Sequence, residues 1–329
     1  MATAIRPEKI LKELDELWVN LGQQSEGSGV LRACAMTLIV ITPDEGADAL
    51  GETLAKLMRE HPSRLVVLRV QPGSEASLTE RVLAQCWMPF GSRQQICCEQ
   101  IEITTTEAGL KDVPPVIRAL EAPDLPVVIW TRIHGLLLRP ECAPLLSLAD
   151  KVIVDSQGYP HTREKLRAIR ATLASRLVAD LEWTRLTRWR HMLSQEFDNP
   201  AYLSRLHELQ TATIGYDGSF VPMRALYLAG WLRSTLPAHV AITLERSGDA
   251  PTPRLHTVTL SGGAISTSPL HFRMNVEPTR ASEMRICSQQ AHPPMPALND
   301  DDLMREELGV TSRDAAFEAS LAYATEIAA

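Results

Sequence analysis

Two adjacent cysteines, Cys97 and Cys98, are the most unusual local feature of the sequence, with Cys86 close by. Neighbouring residues of a strand point to opposite faces, so one thiol can be buried while the other stays accessible. That is the chemistry of a redox site or a metal ligand set. Zinc sites, however, are built from pairs of closely spaced cysteines, and two such pairs are lacking. Packing of buried thiols is the plain alternative. No metal is expected.

A second group comes from the ends of two apolar runs, Val127–Trp130 and Val152–Val154, each read as a strand. Open α/β sheets bind ligands beyond the carboxyl ends of their strands. Arg132 and His134 follow the first run, Asp155 and Ser156 the second. Together they could line a polar pocket in which Arg132 takes an anion and His134 works near neutral pH. The alternative is that Asp155 and Ser156 cap the next helix while Arg132 and His134 are solvated. No nucleophile–base spacing accompanies them. The glycines at 22, 27 and 29 precede a strand instead of following one, so they are not a dinucleotide fingerprint. No P-loop, zincin or serine-hydrolase motif occurs. Accordingly, no catalytic residues and no cofactor are expected.

The third group is the stretch Asp180–Arg190, dense in Trp and Arg. Asp180 is placed to cap a helix, with Glu182 in its first turn. Trp183, Leu186, Leu193 and Phe197 form an apolar stripe, and Arg185, Arg188 and Arg190 fall mostly off it. Trp and Arg are enriched at protein interfaces. Trp183, Arg185, Arg188, Trp189 and Arg190 are therefore candidates for a partner surface, with internal packing as the alternative.

The elements that must carry these residues follow from periodicity. Ile10, Leu14, Leu17 and Leu21 mark an amphipathic helix, and short Val/Leu-rich runs alternate with helical patterns up to Leu177. Fully apolar strands between helices predict a parallel sheet covered on both faces. An antiparallel intrusion is expected near Gln95–Thr104. The second half reads as a helix over Leu181–Phe197, a strand over Glu208–Tyr216 and a helix over Met223–Leu236. Strands at Val240–Glu245, Arg254–Ser261, Ala264–Arg273 and Glu283–Cys287 follow, with Gly262-Gly263 as a hairpin turn. An acidic run at Asp300–Asp302 and a helix from Arg313 close the chain. The fold class is thus α/β: a doubly wound, mostly parallel, Rossmann-like domain over residues 1–178, then an α+β domain with an antiparallel meander over residues 179–329.

Composition fits two folded domains: 329 residues, 45% hydrophobic and 22% charged. The net charge of −7 argues against a nucleic-acid partner. No apolar run is long enough to span a bilayer, and Arg6, Glu8, Lys9 and Lys12 interrupt any N-terminal leader pattern. Six irregularly spaced cysteines do not read as a disulfide scaffold. A cytoplasmic protein is expected.

Several segments also resemble a known family, in order along the chain. They are His61-Pro62-Ser63-Arg64, Cys97-Cys98-Glu99-Gln100-Ile101, Pro123-Asp124-Leu125-Pro126-Val127 and Ile153-Val154-Asp155-Ser156. Beyond them come Asp180-Leu181, Trp183-Thr184-Arg185-Leu186-Thr187, Trp189-Arg190 and Ala229-Gly230-Trp231-Leu232. These resemble the glucose-6-phosphate dehydrogenase assembly proteins, the OpcA family, with Arg188 standing where that pattern usually has proline. The resemblance implies a non-catalytic protein that binds glucose-6-phosphate dehydrogenase and promotes its assembly or activation. A small-molecule enzyme or sugar-phosphate binder using Arg132, His134, Asp155 and Ser156 is the competing reading.

Overall fold

The computed structural model describes residues 6–24, 30–88, 95–158, 162–262, 271–280, 283–287, 295–296 and 298–328, with backbone alone for those between 271 and 296. The chain divides into two compact units, each assembled from separate segments. One comprises residues 1–155, 172–179 and 300–310; the other comprises 156–171, 180–299 and 311–329.

The first unit is built on eight strands: β1 (Val30–Arg32), β2 (Met36–Pro43), β3 (Ser63–Gln71), β4 (Leu78–Trp87), β5 (Gln95–Thr106), β6 (Val127–Thr131), β7 (Lys151–Val154) and β8 (Leu177–Asp180). Their order is β1-β5-β3-β2-β6-β7-β8, with β4 added onto β5. The pairs β2–β3, β2–β6, β3–β5 and β6–β7 are all parallel. β2 runs as six consecutive buried residues, Thr37–Thr42, and β6 is buried throughout. A strand covered on both faces has no need to alternate, and its Val and Ile side chains fill both layers.

The antiparallel intrusion is real but is made by β4, a strand not anticipated, which pairs with β5 from Leu78↔Thr105 to Trp87↔Ile96. β4 lies at the sheet margin and is mostly half-buried. Its Glu80 and Arg81 and its mixed burial leave no period-2 pattern to read.

The acidic run at Asp300–Asp302 starts a helix, Asp300–Gly309, belonging to this unit. At its start Asp300 meets Arg132 at 3.2 Å, just past β6. Near its end Lys151 Nζ, at the start of β7, donates to the Glu307 carbonyl (2.6 Å), the Glu307 carboxylate (3.1 Å) and the Val310 carbonyl (2.8 Å). The helix therefore runs antiparallel to these strands. Acidic residues at its positive end and a lysine at its carbonyl end both complement its dipole.

In the second unit the Leu181–Phe197 stretch is two helices, Leu181–Thr184 and Thr187–Glu196, broken at Arg185 and Leu186. A second sheet has the order β10-β9-β11-β12-β13-β14. Its strands are β9 (Leu209–Asp217), β10 (Ala241–Gly248), β11 (Arg254–Gly262), β12 (His271–Arg280), β13 (Glu283–Cys287) and β14 (Met295–Pro296). From β9 through β14 by way of β11 the pairing is antiparallel, as expected of a meander. β10 departs from this: it pairs parallel to β9, because helix Met223–Thr235 forms a crossover between them. Much of the segment expected as a strand at Ala264–Arg273 lies outside the described residues, as does Gly263; the strand observed is β12.

Helix Met223–Thr235 is buried almost all round, as a helix enclosed by other elements must be. It packs against helix Ala315–Ile327 so closely that Ser320 Oγ donates to the Tyr227 carbonyl at 2.6 Å.

Candidate functional site

The sheet order reverses at β2, between β3 and β6. In doubly wound folds that reversal opens the ligand crevice. The turn leaving β2 carries Asp44, Glu45 and Asp48, and it is pinned by Arg69. Arg69 Nε lies 2.5 Å from Asp44, and Nη1 lies 2.9 Å from Asp48. Gln71 donates to the other Asp44 oxygen at 2.8 Å. The Gln71 and Arg69 hydrogen bonds hold the Asp44 carboxyl below its usual range, outweighing its partial desolvation. On the facing side Arg132 is paired with Asp300 and lies over the Trp130 ring at 5.7 Å. Where a phosphate would need donors, this crevice presents carboxylates and an arginine already bound to one.

The other residues of that group are dispersed in role. His134 is exposed and Asp155 half-buried. Ser156, 2% exposed, belongs to the second unit, where its backbone N–H donates to Asp180 Oδ1 at 3.1 Å.

The Trp/Arg stretch is largely interior. Trp183 and Trp189 are each only 3% exposed, so neither indole presents a surface to a partner. Trp183 Nε1 donates to Asp314 at 2.8 Å, and its rings contact Tyr227 and Phe317. Arg190 stacks over Trp183 at 3.7 Å. Arg185 and Arg224 converge on the buried Glu182 carboxylate at 3.0 and 2.7 Å. The interface-like composition thus serves packing: a carboxylate taken out of water must be matched by charge and hydrogen bonds. Arg188, half-buried, sits in the first turn of its helix. A proline would be tolerated there because that N–H has no intrahelical partner, so arginine and proline are both compatible with the backbone.

Asp180 organises this region and is fully buried. Its Oδ1 accepts from the Ser156 and Glu182 N–H groups, capping helix Leu181–Thr184, and its Oδ2 accepts from the Tyr227 hydroxyl at 2.9 Å.

At the cysteine pair, both Cys97 and Cys98 are 0% exposed, contrary to the expectation that one faces solvent. Cys97 is disulfide-bonded to Cys86, which stands directly opposite it on β4. The Cys98 thiol donates to the Ala33 carbonyl, and burial pushes its pKa up to about 11. Cys142 is likewise buried and pushed up to about 11 by burial. A thiol held protonated and out of reach is a poor nucleophile. Alkylation of the native chain at pH 8 is therefore expected to label the half-buried Cys34 and to spare Cys98 and Cys142. Peptide mapping checks this, and labelling of Cys98 without unfolding would contradict it. Among the described residues no cluster of His, Cys, Asp or Glu could hold a metal ion.

One open cavity of about 310 Å³ lies within the second unit, between the end of helix Thr187–Glu196 and the last turns of helix Met223–Thr235. No motif in the sequence marks it.

With this arrangement established, similarity to known proteins gives the class. A family model for the N-terminal domain of a glucose-6-phosphate dehydrogenase subunit, of the OpcA assembly type, matches residues 55–171. The companion model, for the C-terminal domain of the same protein, matches residues 176–321. The chain belongs to the OpcA family of glucose-6-phosphate dehydrogenase assembly proteins. It is 29% identical over 205 residues to the OxPP cycle protein OpcA of Nostoc punctiforme, covering 60% of this chain and 43% of that protein. The protein of the same name from Synechocystis sp. is 29% identical over 205 residues, covering 59% and 41%. The chain thus spans less than half the length of these relatives. The crystal structure of a biliverdin reductase from Synechocystis sp., in complex with biliverdin and NADP+, superposes with a TM-score of 0.45. It covers 91% of this chain and 96% of that one at 12% identity, a level that bears on neither ligand nor reaction. No helix among the described residues is long and apolar enough to cross a membrane.

Proposed function

We propose that this chain is a non-catalytic regulatory protein that binds glucose-6-phosphate dehydrogenase and promotes its oligomeric assembly or allosteric activation. It would act in the cytoplasm, at the entry to the oxidative pentose phosphate pathway. Family membership over both units carries this reading. The acidic, arginine-pinned turn at the sheet reversal supports it, because a dinucleotide or sugar phosphate would meet like charge there.

The mechanism is linkage. A protein that binds the active oligomer more tightly than the inactive form shifts the population toward it, and by no more than the difference in binding free energy. A tenfold preference corresponds to about 1.4 kcal/mol. Titrating the chain into its cognate dehydrogenase at fixed, subsaturating substrate should raise the rate to a plateau. A flat titration would refute activation. Saturable binding of glucose 6-phosphate or NADP+ to the chain alone would instead favour a ligand-binding role for Arg132 and its neighbours.

A further inference from the structure

The Cys86–Cys97 disulfide lies at a corner of the first unit that several elements share. Arg32, Cys97 and Cys86 stand in one row across β1, β5 and β4, and residues in such a row point to the same face of the sheet. Glu99, two residues beyond Cys97, points to that face as well. It is 3% exposed and gathers Trp18 Nε1 at 2.7 Å, Arg64 at 2.6 Å and Arg32 at 2.5 Å. Trp18 belongs to helix Pro7–Gln24, which packs along β4 with Ile10 and Leu14 buried. Lys9 ties the helix to β4 a second time, 3.0 Å from Glu80. The helical rise from Lys9 to Trp18 is about 13.5 Å. The strand rise from Glu80 to Ala84, the partner of Glu99, is about 13 Å. The helix therefore runs alongside β4 in the same direction, and its last turn, near Gly22, comes level with the disulfide.

Two features suit this bond to opening and closing. Among the described residues β4 pairs with β5 and with no other strand, and Cys86 stands near the end of that ladder, where local opening is easiest. Access is one-sided as well: Cys97 is 0% exposed, whereas Cys86 is half-buried, so a reductant meets the Cys86 sulfur first. In the cytoplasm, the location proposed above, disulfides are rare and those that form are mostly transient or sensing.

We propose that Cys86–Cys97 is a reversible redox clasp, opened by a dithiol reductant and closed by oxidation, that sets how firmly β4 and helix Pro7–Gln24 are held on the sheet. The reductant's thiolate attacks Cys86 Sγ, and the Cys97 sulfur leaves as a thiolate and takes up a proton. The reductant's second thiol then displaces Cys86 from the mixed disulfide. Two electrons and two protons thus pass to the protein, and the reductant ends as a disulfide. Once opened, the corner keeps its backbone ladder and the Glu99 ion pairs but loses its covalent tie. The end of β4 and the last turn of the helix then open more often. The inference takes from the reading above only the cytoplasmic location; dehydrogenase binding does not enter it.

The test compares the full chain oxidised with oxidised glutathione, the same chain reduced with dithiothreitol, and Cys86→Ser, which cannot form the bond. Circular dichroism is the fold control, and hydrogen exchange read by mass spectrometry is the measurement. Peptides covering Ala84–Trp87 and the end of helix Pro7–Gln24 should exchange about tenfold faster or more in the reduced chain. Cys86→Ser should show the fast rates with or without reductant, and peptides covering β2 should be unchanged throughout. Reoxidation should restore the slow rates. Alkylation of the reduced, folded chain should add Cys86 to the labelled positions, and Cys34→Ser should keep the whole response. A pair that oxidised glutathione does not join, or that dithiothreitol opens only as the chain unfolds, would overturn the clasp. So would opening without faster exchange at β4 and the helix, or rates that stay fast after reoxidation. Should Cys86→Ser fail to fold, the reduced wild type decides alone. The dehydrogenase is absent from every measurement, so failure of the clasp leaves the dehydrogenase-binding reading standing, and the reverse holds.

Discussion

Gly230→Val should destabilise the protein by about 3 kcal/mol, lowering the melting temperature of the second unit by about 6–12 °C. A Cβ at Gly230 would lie 2.3 Å from the Ser320 carbonyl oxygen and 2.7 Å from its Cα. Both obstacles are backbone of helix Ala315–Ile327, so no side-chain rotation relieves them. The two helices would have to separate, stretching the Ser320–Tyr227 hydrogen bond and opening a gap beside Phe317, which is 2% exposed. Glycine itself costs a helix about 1 kcal/mol relative to alanine, and here close approach outweighs that. Gly309→Ala provides the contrast. Nothing lies within 4 Å of its Cβ position, so the change should stay within about 0.5 kcal/mol of neutral or stabilise slightly. Thermal melts of the two variants side by side check the argument; equal stability would refute it.

Asp180→Ala should cost on the order of 3 kcal/mol or more, because one buried carboxylate satisfies three donors. The Ser156 N–H, the Glu182 N–H and the Tyr227 hydroxyl would all lose their acceptor, in a place water does not reach. Tyr227→Phe removes only one donor and should cost about 1 kcal/mol. The pair of variants also separates by pH. Burial, reinforced by the Asp180 charge, raises the Tyr227 pKa well above 10. As pH rises past 10, the unfolded chain releases that proton while the folded chain retains it. This linkage draws the equilibrium toward unfolding, so its contribution to stability is present below about pH 10 and falls above it. The alkaline decline should be shallower in Tyr227→Phe. Chemical denaturation from pH 8 to 11 checks this, and identical slopes in the two proteins would contradict it.

Much of the scaffold could be read from local pattern. Strands β2, β3, β6 and β7 announce themselves by uninterrupted apolar runs at their centres, Leu38–Ile41, Leu65–Leu68, Val127–Trp130 and Val152–Val154, all of them buried. β4 did not, since a marginal strand mixes exposed and half-buried positions. Missing it also hid the Cys86–Cys97 pairing, which exists only because the antiparallel register places the two residues opposite one another. The crossover before β10 escaped for a related reason: strand spacing along the chain does not reveal direction. The helix at Asp300–Gly309 reads as a bare acidic run until Arg132 and Lys151, distant in sequence, supply its partners.

The candidate residues divided along the same line. Asp180 was recognisable as a cap, and the structure adds the tyrosine and serine partners that only tertiary folding brings to it. The Trp and Arg side chains around it have the composition of an interface, yet the same chemistry packs an interior: aromatic faces stack on guanidinium, and guanidinium neutralises buried carboxylate. Composition alone cannot separate those uses. Conversely, the cavity beside Leu203 gathers residues from two helices, two short turns and a strand, with no motif to mark it.

The most direct test of the central claim is the mass of the dehydrogenase measured by light scattering on a sizing column, with and without an equimolar amount of this chain. Binding coupled to assembly predicts a co-eluting complex and a larger fraction of the dehydrogenase in its highest oligomer. Separate elution at unchanged dehydrogenase mass, at micromolar concentrations of both, would contradict it.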